Sequence, residues 1–136
     1  DNKAVQVEGG GICQVSTTAY DAFLVSGIVP VERHPHTCPV SYVPMGLDAA
    51  LAIGTKDLVV KNTYDVPILL CSKVKGSNLT VSVYSYKKAK GSYTYKPKSI
   101  STKGELRARS YLDVYLGGDL VDSIALSDDV YKKAKS

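Results

Sequence analysis

One stretch near the start of the chain carries most of the structural signal: GGGICQVSTTAYDAFLVSGIVP, residues 9–30. Its three glycines predict a flexible turn, and the residues after them predict an α-helix over 13–26. Gly27 stands where a helix end favours a left-handed residue, and Pro30 prevents the helix from continuing. Small and apolar side chains recur at the spacing of one helix face, and this predicted buried stripe consists of Val15, Ala19, Ala22, Phe23 and Ser26.

Everything after this helix favours β-structure. Four short strand candidates, interrupted by Pro, Gly or Asp, are predicted over residues 29–33, 40–43, 49–53 and 58–61. Two stronger hairpins follow, with strands over residues 66–74 and 79–86, and then over 106–116 and 119–126. Their turn residues are Gly76-Ser77-Asn78 and Gly117-Gly118.

Two segments of the second half are predicted to lack regular structure. Residues 87–104 are rich in Lys, Ser and Gly and are expected to form a loop, and the tail from Lys132 is expected to be frayed. The sequence therefore predicts an α+β fold: one N-terminal helix packed on a mostly antiparallel sheet, with a β-rich C-terminal part.

The composition fits one compact domain. The chain has 136 residues and a mass of 14.6 kDa, and 44% of its residues are hydrophobic, which is enough for a core. No run approaches the roughly 18 apolar residues that span a bilayer. Three cysteines exclude a disulfide-dense scaffold. Because the chain starts at Asp1 without an initiator methionine or a signal peptide, we expect a fragment of a longer protein.

The net charge of +4 is unevenly distributed along the chain. Residues 66–104 contain eight lysines and no acidic residue, together with Tyr84, Tyr86, Tyr93 and Tyr95. Tyrosines among basic residues can stack on bases, but the segment has no arginine, so we expect no nucleic-acid partner. Two interpretations remain open: a solvated, lysine-rich hairpin, or a surface that binds an anionic polymer.

Cys13 is the first candidate for chemistry, because it follows Gly9-Gly10-Gly11 at the start of the predicted helix. Unpaired backbone N–H groups and the positive helix end favour a thiolate there. The glycines allow a substrate to approach closely, and the same N–H groups can face a developing oxyanion. The alternative is a buried structural cysteine, since free cysteine is often buried.

Both histidines of the chain lie in the cluster Glu32-Arg33-His34-Pro35-His36. An imidazole near a thiol can act as base and then protonate a leaving amine. His34 and His36 point to opposite faces if the segment is extended, so only one of them could meet Cys13. The alternative is a pair of exposed loop histidines.

A third group should orient the base, and three polar residues downstream could do so: Asp48, Asp57 and Asn62. A metal site is disfavoured because the spacings of Cys, His and Asp match no zinc pattern, so no metal or other cofactor is expected. Cys38 and Cys71 could form a disulfide in an oxidising compartment, or both could be small buried side chains.

An ordered series of motifs resembles the VanW-like domain. The resemblance covers about residues 5–85 and leaves the last part as a variable β tail. Its longer motifs are GGGICQVSTT (9–18), ERHPH (32–36) and PVSYVP (39–44), and its shorter ones are Gly46-Leu47-Asp48-Ala49, Asp57-Leu58, Asn62-Thr63 and Pro67-Ile68. The resemblance implies a single domain over residues 1–136, with a catalytic core at 5–85 and a tail at 86–136.

The resemblance also implies a function. VanW-like domains occur in surface and membrane-anchored proteins of Gram-positive bacteria, and some members are implicated as L,D-transpeptidases that form 3-3 peptidoglycan cross-links. This implies an extracellular, cell-wall location and attachment to a membrane only through a missing N-terminal region. The implied partners are peptidoglycan stem peptides, as a donor tetrapeptide and an acceptor amine. Separately, the lysines of residues 66–104 could bind anionic wall polymers.

Carried onto this sequence, the resemblance assigns roles to individual residues. Cys13 would be the nucleophile, with His36 as the preferred base and His34 as the second choice. Asp57 would orient the base, with Asp48 next. The predicted oxyanion and substrate residues are Gly11, Gln14 and Asp48. Two other functions fit the same sequence: a non-catalytic cell-wall-binding module that uses the lysines, and a cysteine peptidase or amidase that cuts wall stem peptides.

Overall fold

The computed structural model describes residues 9–134, so residues 5–8 of the expected core lie outside it. One helix and five strands form the described part, and the α+β prediction is confirmed. The elements are α1 (Ile12–Val25), β1 (Leu69–Lys75), β2 (Asn78–Tyr84), β3 (Tyr93–Ser101), β4 (Arg107–Leu116) and β5 (Asp119–Val130). No helix in this range is long and apolar enough to cross a bilayer.

Glycine sets both ends of α1. Gly11 precedes the helix with a φ of 94°, and Gly27 follows it with a φ of 78°, as its position in the sequence predicted. At the C-terminal end, Gly27 N–H donates to Leu24 O and Ile28 N–H donates to Phe23 O, each at 2.9 Å. These two bonds form a Schellman motif, which satisfies carbonyls that the helix leaves unpaired.

The buried face of α1 differs from the predicted stripe. Ala22 and Phe23 are buried as predicted, but Val15 is 49% exposed. Tyr20 and Leu24, which were not predicted, are buried. Ser16 and Thr17 are also buried, since Ser16 Oγ donates to Ala49 O at 2.5 Å and Ala49 N–H donates to Thr17 Oγ1 at 3.0 Å. Counting apolar residues does not identify this face. Its polar side chains can be buried because they form hydrogen bonds with residues far along the chain.

The strands form two antiparallel sheets, with orders β1-β2 and β3-β4-β5. Both predicted hairpins are confirmed, although the first turn has two residues, Gly76-Ser77, because Lys75 already pairs with Asn78. The loop predicted over 87–104 is wrong in its middle, where β3 forms an edge strand. Only alternate residues of β3 (Tyr95, Pro97, Ser99) are partly buried, as expected for a strand with one exposed face. The lysines between them made the segment resemble a polar loop, and Pro97 is tolerated because β3 is an edge strand.

The four short strands predicted between residues 29 and 61 do not form. Only isolated bridges occur there, between Glu32 and Val59 and between Ala52 and Lys56. The prolines and glycines of this segment prevent continuous strand pairing. Its backbone groups instead form single hydrogen bonds, and Ala50 N–H, for example, donates to His34 O at 2.8 Å. Irregular backbone therefore covers the start of α1.

One hydrophobic cluster joins this irregular segment to the helix and the larger sheet. Its buried members are Tyr20, Leu24, Leu47, Ala49 and Leu112. The C-terminal end of the described chain is also tied down. Lys132 was expected to begin a frayed tail, but its N–H donates to Thr37 O at 2.7 Å. Residues 135–136 lie outside the described range.

Replacing Gly27 with alanine is expected to lower the free energy of unfolding by about 2–3 kcal/mol. The residue has a positive φ, and a Cβ there would lie 2.5 Å from the Tyr95 ring. Gly54→Ala is the matched control, because Gly54 has a φ of 74° with nothing within 4 Å of its Cβ position. The control should lose only about 1 kcal/mol, for the backbone alone. Equal losses in urea denaturation would contradict the role given to the Tyr95 contact.

Candidate functional site

Cys13 lies on the first turn of α1 and is half-buried. The backbone of Leu51 covers its sulfur: Leu51 N–H donates to Cys13 Sγ at 3.4 Å, and the Sγ–H group is directed at Leu51 O at 3.6 Å. These contacts fix the sulfur against the irregular segment instead of leaving it in a packed core.

The backbone N–H beside this sulfur is available. Gly9 O accepts the N–H of Ile12, and Gly11 O accepts the N–H groups of Gln14 and Val15. Within residues 9–134, no backbone acceptor is found for the N–H of Cys13. The nucleophile candidate thus carries its own free donor at the positive end of a helix. The predicted donor role of Gln14 is weaker, because Gly11 already accepts its N–H group.

Gln14 and Gly11 instead line a cleft of about 630 Å³ beside the helix start. The opposite wall of this cleft comes from Ser77 and Asn78 at the turn between β1 and β2. The described wall has no charged side chain, so it offers hydrogen-bonding groups and not ionic ones.

His36 is held from one side by a buried carboxylate. Its ring Nδ1 lies 2.6 Å from Asp48 Oδ2, and its backbone N–H donates to the same oxygen at 2.6 Å. Because an ionised carboxylate can only accept, Nδ1 is the nitrogen that donates to Asp48, which leaves Nε2 for other partners. Nε2 faces the hydroxyl of Tyr42 at 3.4 Å, and the side chain is 18% exposed.

The Asp48 carboxylate is 1% exposed and accepts hydrogen bonds from three residues of the site. Besides the two bonds from His36, its Oδ1 accepts Tyr131 OH at 2.5 Å and Arg33 Nη2 at 3.0 Å. Burial acts most strongly and would raise the pKa of Asp48. The bonds from Tyr131 and His36 and the charge of Arg33 outweigh it, so the pKa lies below its usual value. Asp48 therefore remains an ionised acceptor.

Arg33 supplies the balancing charge. Its Nε donates to Asp48 O at 2.5 Å, its Nη1 donates to Asp129 Oδ2, and its guanidinium lies 5.6 Å from the centre of the Tyr20 ring. Ser127 Oγ donates to the same oxygen of Asp129 at 2.9 Å. The charges of one arginine and two carboxylates are thus buried together with hydrogen-bond partners.

Two of the predicted assignments change. The carboxylate that contacts His36 is Asp48 and not Asp57, whose exposed carboxylate accepts the N–H of the adjacent Leu58 at 2.8 Å. Asn62 also bonds locally, to Val66 O and from Tyr64 N–H. The substrate role given to Asp48 does not fit either, because a carboxylate so deeply buried cannot face a ligand.

The structure also separates the two histidines. His34 Nε2 lies 2.9 Å from Glu32 Oε1 at the surface, and the ring does not join Asp48. Among the described residues, neither imidazole forms a hydrogen bond with Cys13 Sγ. The disulfide alternative does not occur, since Cys38 and Cys71 are both free and half-buried. The described range contains no group of three His, Cys, Asp or Glu side chains placed to hold a metal ion.

Four residues of the site were not predicted: Arg33, Tyr42, Asp129 and Tyr131. The first two lie inside motifs that the resemblance had already marked, ERHPH and PVSYVP, and could have been chosen there. Asp129 and Tyr131 lie far along the chain, and Tyr131 is 83 positions from Asp48. Nothing local in the sequence indicates their role, because it depends on how β5 returns to the irregular segment.

Comparison with known proteins confirms the resemblance. The family model described as "VanW like protein" matches residues 1–84. "Uncharacterized protein YoaR" of Bacillus subtilis (strain 168) is 43% identical over 77 residues, which cover 57% of this chain and 25% of that protein. The match thus spans about a quarter of the length of this curated relative. No solved structure gives a significant match.

Proposed function

This chain belongs to the VanW-like protein family, and from that premise we propose that it is a cysteine-dependent acyltransferase of the bacterial cell wall, an L,D-transpeptidase. One arrangement supports the proposal most. The Asp48 carboxylate holds Nδ1 of His36 and leaves Nε2 turned toward the surface, on the side where Tyr42 lies. A base held in this way is what a thiol nucleophile requires.

In the first step, the Cys13 sulfur attacks the carbonyl between the diamino acid and the terminal D-alanine of a stem tetrapeptide. The S–H proton passes to His36. The carbonyl–nitrogen bond then breaks, and the proton returns to the departing amine of D-alanine. The product is a thioester on Cys13 and free D-alanine. This covalent intermediate divides one difficult step into two easier ones.

In this proposal the backbone N–H of Cys13 stabilises the oxyanion of that step. It adjoins the attacking sulfur at the N-terminus of α1 and has no backbone acceptor among the described residues. A preorganised donor of this kind typically contributes about 3 kcal/mol to such a reaction.

In the second step, the side-chain amine of a second stem attacks the thioester. His36 accepts the amine proton, the carbon–sulfur bond breaks, and the proton returns to the Cys13 sulfur. A 3-3 cross-link results. Water in place of the amine would give carboxypeptidase activity through the same residues, so the acceptor alone decides between the two outcomes.

The proposal is tested by intact-mass spectrometry of the wild-type protein with a purified stem tetrapeptide. We expect a mass gain equal to the tetrapeptide minus D-alanine, loss of the adduct with hydroxylamine, and its location on Cys13 by peptide mapping. A stem tripeptide is the matched control, because it has no D-alanine to release. Adding acceptor stems should produce joined stems. The absence of any adduct on folded protein would overturn the proposal, and cleaved stems without joined ones would indicate a peptidase.

A second candidate function is non-catalytic binding to the cell wall. The observation in its favour is that all eight lysines of residues 66–104 are exposed on the two sheets and the connections between their strands. In that case the protein should sediment with purified peptidoglycan in a salt-sensitive way and form no thioester. A thioester would show that binding is not the whole function.

A further inference from the structure

A second groove lies at the opposite end of α1 from Cys13. Its volume is about 410 Å³, which is within the range typical of small-ligand sites. A helix rises about 1.5 Å per residue, so Cys13 and Val25 are about 18 Å apart along its axis. The groove is therefore distinct from the cleft beside the proposed nucleophile. Part of its lining is apolar and comes from the last turn of α1 and from β2, as Ala22, Val25, Val81 and Val83.

The segment that follows β2 gives this groove its charge. A turn folds the segment, in which Ala89 N–H donates to Tyr86 O at 2.9 Å. Lys87 and Lys90 line the groove and are exposed, and no acidic side chain of the described range lines it. Neither lysine forms an ion pair within residues 9–134. The groove thus presents two ammonium groups to solvent without a described carboxylate to balance them.

Two tyrosine rings also line the groove. Tyr64 OH donates to Ser26 O at 2.5 Å, which holds this ring beside the end of α1. Tyr86 is 70% exposed, so its ring is accessible to a ligand. A tyrosine offers a flat apolar face together with a hydroxyl, and this combination suits the CH and OH groups of a sugar or a polyol.

The charge of this groove differs from that of the other clefts described. The cleft beside the helix start has no charged lining. A cleft at Lys56 also contains Glu32 and Asp57, and one at Arg107 also contains Glu105. Of these four, the groove at the end of α1 is the one that combines cations with no acidic side chain. Its lining favours an anionic ligand that also has a carbon skeleton to pack on the rings.

We infer that this groove binds a polymer of phosphate-bearing polyol or glycan units. Lys87 and Lys90 contact a phosphate, for which lysine serves as a point charge. The rings of Tyr64 and Tyr86 pack on the adjoining polyol or sugar. A polymer fits better than a free anion, because residues 66–104 carry further exposed lysines outside the groove. The inference goes beyond the acyl transfer proposed above and does not depend on it, since no residue of that mechanism lines the groove.

The test is the affinity of the whole chain for a glycerol phosphate oligomer of defined length, measured by titration calorimetry at several salt concentrations. Lys87→Gln together with Lys90→Gln should weaken binding at least about tenfold and lower the slope of log Kd against log salt by about 1–2, because two phosphate contacts are lost. The matched control is Lys73→Gln with Lys75→Gln, which removes the same charge from exposed positions on β1. Equal losses in the two double variants, or no loss in the first, would overturn the groove.

The ring contact and the ligand class are tested separately. Tyr86→Ser should weaken binding at least about threefold, whereas Tyr86→Phe keeps the ring and should bind like the wild type. A polyglutamate peptide and a single-stranded oligonucleotide of matched charge should bind at least about tenfold more weakly than the glycerol phosphate oligomer. Equal affinity for either would show recognition of charge alone and overturn the assigned ligand class.

A last measurement separates this site from the one at Cys13. Both lysine double variants should form the thioester with stem tetrapeptide in the same yield as the wild type, because the lysines line a different groove. Loss of the thioester in the first double variant alone would show that the groove serves the Cys13 site, and would overturn an independent binding site. Absence of the thioester in every protein, with the lysine dependence of binding intact, would overturn the acyltransferase proposal and support the groove.

Discussion

Cys13→Ala is expected to abolish transpeptidation, with a fall in kcat/KM of at least about 10³-fold, since no other group can form the acyl intermediate. The change removes one sulfur atom whose partners are the backbone groups of Leu51. The fold should therefore remain, and circular dichroism and urea denaturation should give nearly wild-type curves. Activity is measured by mass spectrometry of the joined stems.

Two further variants sharpen this prediction. Cys13→Ser keeps an acceptor for Leu51 N–H but replaces the thiol by a far weaker nucleophile, so it should be nearly as inactive as alanine. Cys71→Ala is the matched control, because Cys71 is also free and half-buried but lies on β1. It should retain wild-type activity. Full activity in Cys13→Ala would remove Cys13 from the mechanism.

Local signals in the sequence were sufficient for α1 and for the two hairpins, although not for β3. Gly27 determined the end of α1, and the turns at Gly76-Ser77 and Gly117-Gly118 determined the two hairpins. Each of these features depends on a backbone conformation that a few adjacent residues specify. No such local pattern specifies the segment between α1 and β1. Its backbone forms hydrogen bonds with distant side chains and pairs only in isolated bridges. Its short apolar stretches therefore predicted strands that do not form.

The same distinction applies to the site. Cys13 and His36 could be chosen because a cysteine at a helix start and a histidine cluster are local patterns. Asp48 ranked below Asp57, since spacing alone does not indicate which carboxylate is buried against the imidazole. Tyr131 had no local signal in the sequence, although its hydroxyl contacts two parts of the irregular segment: it accepts Gly46 N–H at 2.6 Å and donates to Asp48.

The C-terminal sheet is therefore part of the site's support. Asp129 on β5 binds Arg33, and Tyr131 just after β5 binds Asp48. The family match ends at residue 84, so both residues lie beyond it. A truncation after β2 would leave Arg33 and Asp48 without these partners, and the stability of residues 9–84 alone cannot be equated with that of the whole chain.

Asp48→Asn is expected to cost about 3 kcal/mol of unfolding free energy at neutral pH. The side chain keeps its size, but Arg33 loses one of its two buried carboxylates, and breaking a buried pair costs about 3–5 kcal/mol. Because Asp129 still binds Arg33, we expect the lower end of that range. Urea denaturation measures the loss, and Asp65→Asn, at an exposed position, is the control that should show almost none.

The stability difference between the wild type and Asp48→Asn is expected to depend on pH, in a direction set by the pKa shift of Asp48. The pKa of Asp48 is lower in the folded protein than its ordinary value, so its contribution to stability is complete above the unfolded pKa of about 4. It is lost as the pH falls through the folded value. The gap between wild type and Asp48→Asn should therefore narrow below about pH 4, because a protonated Asp48 resembles the amide. Asp128, whose pKa is lowered to about 2 by Arg107, titrates equally in both proteins and cancels in the difference. A gap that stayed constant down to the acid transition would show that Asp48 acts through packing and not through its charge.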